Sequence, residues 1–216
     1  MKKVLLLTIL FITSFYVNGQ EKTEPQKSFV AKLEMLKLLG AVSNLGYVFE
    51  PQFSYHRNRV AYNLTIGLSR VNNEIYRELD YTNKGTYLQG GVQFRVTEGG
   101  DEHLRGFFMG FHVNVSDYEE TGKLEFPGSY FGDNQARLTQ ENISTSVAWL
   151  FSYKTLIGEH FVMDASWRLA HILGDFDQPE FPVFRVPGAG LTNFLGDRER
   201  NHRTTIGWSL KMGYKF

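Results

Sequence analysis

Lys32, Glu34, Glu50, Arg95, Lys154, Asp164, Arg168, Lys211 and Lys215 each stand next to a bulky apolar residue, in runs where polar and apolar types alternate. Period two gathers such charges on one face of an extended strand and the bulky residues on the other. Charges lining the inside of a closed sheet have two uses: they form an ion path, or they pair across the lumen as a plug that fixes register. Buried charges need partners, and a barrel of about eight strands leaves only side-chain-filled space. The plug is therefore the favoured reading. The expected network is Lys32, Glu34, Glu50, Arg95, Asp164, Arg168 and Lys211, with Arg168 partnering Asp164 or Glu50.

Catalytic arrangements are sparse. His112 and Ser116 share one face of an extended run, but four residues along a strand span roughly 13 Å, beyond hydrogen-bond reach. His171 has Leu169 and Leu173 as same-face neighbours and no serine. Polar lining is the role assigned to both sites. No GxSxG, Walker, HExxH or EF-hand pattern occurs. Asp175, Asp177 and Glu180 lie close together without the register of a calcium loop. The expectation is a protein that is not an enzyme and carries no metal and no cofactor.

The elements that must position these residues are eight alternating segments, at 28–40, 45–55, 60–69, 86–96, 106–116, 142–154, 160–170 and 203–216. In the last, Ile206, Trp208, Leu210, Met212, Tyr214 and Phe216 oppose Gly207, Ser209, Lys211, Gly213 and Lys215. The first is the least regular, because Lys37 breaks its alternation. Pro51 removes a ladder donor in mid-strand and predicts a bulge. The polar face is rich in Gly, Ser, Ala, Asn and Thr, which suit a narrow lumen, and the bulky face suits a lipid belt. This is inside-out relative to a soluble lipocalin-like carrier. The predicted fold is all-β, an eight-stranded antiparallel up-and-down transmembrane β-barrel.

Composition agrees. Lys2 and Lys3 precede an apolar run at 4–16 and a small-residue site before Gln20, the pattern of a signal peptide over residues 1–19. The run is too short for a transmembrane helix of about 20 residues. Residues 20–27 form a polar lead-in and 28–216 the barrel. Without residues 1–19 the chain has 21 basic and 23 acidic residues, which gives no basic face for nucleic acid. There is no cysteine, so neither disulfides nor a lipid-anchored cysteine contribute. A membrane protein without an apolar helix can only be a closed barrel.

Connection lengths orient it. The links at 56–59, 97–105 and 155–159 are short, whereas those at 71–85, 117–139 and 171–202 are long. Outer-membrane barrels have short periplasmic turns and long outside loops. The first outer link, 40–44, is the exception. Phe29, Tyr55, Tyr62, Phe94, Phe107, Tyr153, Phe161, Tyr214 and Phe216 all fall at the predicted periplasmic end, as an interfacial aromatic girdle requires. The long outer loops carry Phe126, Tyr130, Phe176, Phe181, Phe184 and Phe194. These form either a recognition surface or a cover over the barrel mouth.

Phe216, with Tyr214 and the alternation before them, resembles the C-terminal signal by which outer-membrane barrels are recognised for assembly. Residues 28–216 resemble the small eight-stranded barrels of OmpA/OmpX type, and the signal ending Asn18-Gly19-Gln20 resembles those of Bacteroidota exports. The resemblance implies an outer-membrane location, contact with outer-membrane lipid, the barrel-assembly machinery as a partner of the last strand, and a monomer. Function is expected in envelope integrity or in surface binding of an extracellular ligand through the outer loops. Some barrels of this shape are lipid A deacylases with a lipid-facing His and Ser, so a lipid-modifying enzyme is the first alternative and a soluble carrier the second.

Overall fold

The computed structural model describes residues 26–35, 46–72, 80–97, 104–126, 134–173, 185–192 and 203–216. The signal-peptide segment and most of the lead-in lie outside the described residues. The strands are β1 (Lys27–Glu34), β2 (Gly46–Phe49), β3 (Pro51–Arg57), β4 (Val60–Asn72), β5 (Thr82–Arg95), β6 (Gly106–Phe126), β7 (Asn134–Ile157), β8 (Phe161–Leu173), β9 (Arg185–Val186), β10 (Gly190–Thr192) and β11 (Thr204–Lys215).

Every neighbouring pair is antiparallel, and β1 pairs with both β3 and β11, so the sheet closes on itself. β2 and β3 are two pieces of one barrel strand, and β9–β10 is a separate hairpin, leaving a closed eight-stranded barrel. The register can be followed once around it. Tyr214 pairs with Ala31, which leads through Phe53, Leu64, Gly90, Val113, Val147 and His171 to Thr204. The path leaves β11 and returns to it ten residues away. Strand number and this stagger together set the tilt of the strands against the barrel axis.

Alternation does what its period demands. In β4 the burial pattern is strictly two-fold from Ala61 to Arg70, with Tyr62, Leu64, Ile66 and Leu68 outside and Asn63, Thr65 and Ser69 inside. Among the described residues, buried polar and charged residues outnumber buried hydrophobic ones by 27 to 15. A water-soluble core has the opposite balance.

Four expectations are corrected. Pro51 introduces no bulge: Phe49 pairs with Leu68 and Gln52 with Thr65, so three steps on one strand match three on the other. The missing donor interrupts the ladder without inserting a residue. The first strand stops at Glu34 rather than running unbroken to Gly40; residues 36–45, with the expected first outer link at 40–44, lie outside the described residues. The long link at 117–139 is mostly strand, because β6 and β7 stay paired from Asp117–Ile143 out to Phe126–Asn134. His56 belongs to β3 rather than to a turn, and Asn58, at φ 54°, makes the reversal. Asn is among the few side chains that tolerate this left-handed conformation.

Candidate functional site

The strand ends Arg57 and Val60, Arg95 and Gly106, and Ile157 and Phe161 gather at one end of the barrel, the turn end; the other is the loop end. Inward side chains divide the lumen into three layers. At the turn end, Val30, Leu104 and Val162 form a buried apolar cluster with Leu156 against it. Phe108, fully buried on β6, stands edge-on to His56 at 6.1 Å and lies 4.2 Å beneath Lys154 Nζ.

The middle layer holds the charges. Lys32 Nζ pairs with Asp164 Oδ2 at 2.6 Å. Lys211 Nζ lies 2.6 Å from Glu50 Oε1 and donates to Gln52 Oε1 at 2.7 Å, and the Tyr87 hydroxyl donates to Glu50 Oε2. Glu34 accepts from the Leu210 amide at 3.1 Å, which ties the end of β1 to β11. Lys154 Nζ donates to Gln93 Oε1 at 2.8 Å, Asn63 donates to the same oxygen at 3.0 Å, and Gln93 Nε2 donates to Ser152 Oγ at 2.8 Å. Gln93 reaches β7 across β6, where its register partner Gly110 has no side chain to obstruct it.

Two members of the expected network stand apart. Arg95 is only half-buried, at the turn end, with its amide bonded to the Arg59 carbonyl at 2.8 Å. Arg168 is buried, yet among the described residues no carboxylate pairs with it. Asp164 and Glu50 are held by lysines instead, which corrects the anticipated Arg168 pairing.

The loop-end layer was not anticipated as such. Hairpin β9–β10 turns into the barrel mouth, with Val186, Pro187, Gly188 and Ala189 all buried. Val186 and Ala189 pack with Tyr118, Ala148, Ala170 and Ile172 of the wall. Lumen amides hold the turn: Asn114 Nδ2 donates to Pro187 O at 3.1 Å, and Gln89 Nε2 donates to Gly188 O. β10 pairs with β11 at Leu191–Ile206 and Thr192–Thr205, beyond the stretch where β11 pairs with β1. Nearby, Glu120 is fully buried and accepts from Tyr81 OH at 2.5 Å and Asn83 Nδ2 at 3.1 Å. Glu120 was legible only as a continuation of the even-numbered inward face of β6.

His112 and Ser116 both face the lumen, but the Ser116 hydroxyl donates to Ser144 O at 3.4 Å. His171 points outward at the loop end. No nucleophile–base pair is formed by these residues. Phe126 lies at the tip of β6, and Tyr130, Phe176, Phe181, Phe184 and Phe194 lie outside the described residues.

The outer surface carries the aromatic girdle at the turn end. Ring centroids are 4.8 Å apart for Phe29–Tyr55, 5.8 Å for Phe161–Tyr214 and 5.2 Å for Tyr214–Phe216. The Phe216 amide bonds the Phe29 carbonyl at 3.0 Å, so the last residue seals the seam between the first and last strands.

No protein-family model matches the chain. No curated protein matches it. Among solved structures, it is similar to Ail, the attachment invasion locus protein of Yersinia pestis, at 14% identity and a TM-score of 0.43, covering 90% of this chain and 100% of that one. The N-terminal β-barrel domain of Pseudomonas aeruginosa OprF gives 12% identity and 0.35, covering 89% and 100%. Neisserial surface protein A gives 12% identity and 0.36, covering 89% and 98%. The chain is a small all-β barrel of eight antiparallel strands, closed by its own β1–β11 register.

Proposed function

We propose that this barrel spans the outer membrane, is non-enzymatic, and acts in envelope integrity or in binding at the cell surface through its loop end. The observation that carries the membrane reading is the inverted surface. Tyr62, Leu64, Ile66, Leu88, Phe111, Val113, Trp149, Trp167 and Trp208 are all exposed on the outer wall. At about 25 cal/mol per Å² of apolar surface, leaving such a belt in water would forfeit far more than a domain's net stability of about 5–15 kcal/mol. Lipid removes that cost. A soluble carrier needs the reverse distribution, with its apolar face lining the cavity.

In this reading the girdle around Phe29, Tyr55 and Tyr214 sits at the periplasmic interface, the paired extension of β6 and β7 rises on the outside, and the Tyr214–Phe216 strand end is read by the assembly machinery. Apolar seals at both ends and paired charges between them support a structural lumen. Separating cell membranes on a density gradient tests the location. The protein should appear in the outer-membrane fraction and resist carbonate extraction; recovery in the periplasmic fraction would return the soluble carrier.

A further inference from the structure

Most lumen donors and cations have partners from the barrel wall. Gln89 and Asn114 also reach inward, each donating to a backbone carbonyl of the β9–β10 turn, with Asn114 Nδ2 shared at 3.5 Å with the wall hydroxyl of Ser146. The fit there is tight. Gly188 has φ +76°, and a Cβ on it would strike both Asn114 and the Tyr87 ring. Arg168 runs past the same turn. The position of a Cβ on Gly207 lies 2.7 Å from Arg168 Nε and 3.2 Å from Ala189 O, yet Nε makes no hydrogen bond. His112 Nε2, also buried, has no partner either.

Two amide donors thus meet the hairpin's carbonyl oxygens, and beside the turn runs a buried guanidinium that pairs with no carboxylate among the described residues. We propose that the pocket formed by Gln89, Asn114 and Arg168 is a binding site for a small oxyanion, and that the β9–β10 turn occupies it as a backbone surrogate until the anion displaces it. The carbonyls supply acceptors but no negative charge, whereas an oxyanion supplies both, and guanidinium bonds to oxyanions are charge-assisted and geometrically matched. The hairpin is suited to exchange. Its strands are two and three residues long, and it is joined to the barrel sheet by two register pairs. Segments held to a sheet by so short a ladder open locally more easily than barrel strands. The inference needs only the barrel and its hairpin, so it stands apart from the placement in lipid.

The chain has no cysteine, so Ala189→Cys gives a single thiol at a buried position of the turn. Its labelling by a charged thiol reagent is followed for the full chain in zwitterionic detergent micelles at constant ionic strength, with inorganic phosphate or with phosphatidylglycerol added. The labelling rate should rise several-fold and saturate. A rise with phosphate assigns a soluble ligand; a rise with phosphatidylglycerol alone assigns a headgroup. Arg168→Gln should remove the rise and Arg168→Lys keep part of it. If Arg168→Gln does not fold, Gln89→Leu carries the same expectation. No rise in either medium, or an equal rise without the Arg168 charge or the Gln89 amide, overturns the proposal.

Discussion

Lys32 Nζ lies 2.6 Å from Asp164 Oδ2, and these residues, 132 positions apart in the chain, sit on β1 and β8 with β11 between them. The pair spans the seam where the barrel closes, and both side chains are almost wholly buried. Lys32→Met should therefore cost about 3–5 kcal/mol, because it strands a buried carboxylate. The double variant Lys32→Met/Asp164→Leu should recover most of that loss. Arg168→Met, which strands no carboxylate among the described residues, should be close to neutral. Urea unfolding of the three variants, followed by tryptophan fluorescence, checks this. A double variant as unstable as the single one would show that the pair is not the source.

Which face each residue takes is readable in the sequence, because the two faces of a closed wall impose period two separately on every strand. Lys32, Glu34, Glu50, Asp164, Arg168 and Lys211 are all inward and buried for that reason. Which residue meets which was not readable. Faces say nothing about position around the barrel, and the Lys32–Asp164 contact depends on the stagger accumulated over the whole register. The extension of β6 and β7 looks like loop in the sequence because its backbone is satisfied by pairing beyond the apolar belt, so no hydrophobic alternation marks it. The inward hairpin was hidden for a related reason. Val186, Pro187, Gly188 and Ala189 bury a turn, and a buried turn has no period.

Planar-bilayer recordings of the purified protein should show no steady conductance. Gly188→Val should expel the hairpin, since its side chain has no room beside Asn114 and Tyr87. The turn-end cluster of Val30, Leu104 and Val162 would remain, so this variant should still not conduct. A Ser146→Cys thiol in the same variant should nevertheless become open to labelling from the loop end. Porin-like conductance in the parent protein would contradict the closed lumen.

Phe216 bonds the Phe29 backbone and packs against Tyr214 at the seam. Its deletion should lower the assembled fraction in cells far more than it lowers the unfolding midpoint of refolded protein. Assembly at the parent level would remove the role of the terminal aromatic in recognition.

Orientation predicts where protease reaches intact cells. Arg203 is exposed at the loop end, and Arg57 and Arg59 are exposed at the turn end. Trypsin added outside should cut in the 198–203 region and spare the 57–59 turn, which mass spectrometry of the fragments resolves. Cleavage at Arg57 or Arg59 alone would invert the topology.

The central claim is that the apolar belt faces lipid, and the tryptophans report on it directly. The chain has three, Trp149, Trp167 and Trp208, exposed by 60%, 43% and 56% on the outer wall. With the protein reconstituted in vesicles, lipids brominated along the acyl chain should quench most of the tryptophan fluorescence, and aqueous iodide should quench little of it. Strong iodide quenching with no effect of the brominated lipids would place the belt in water and contradict the account.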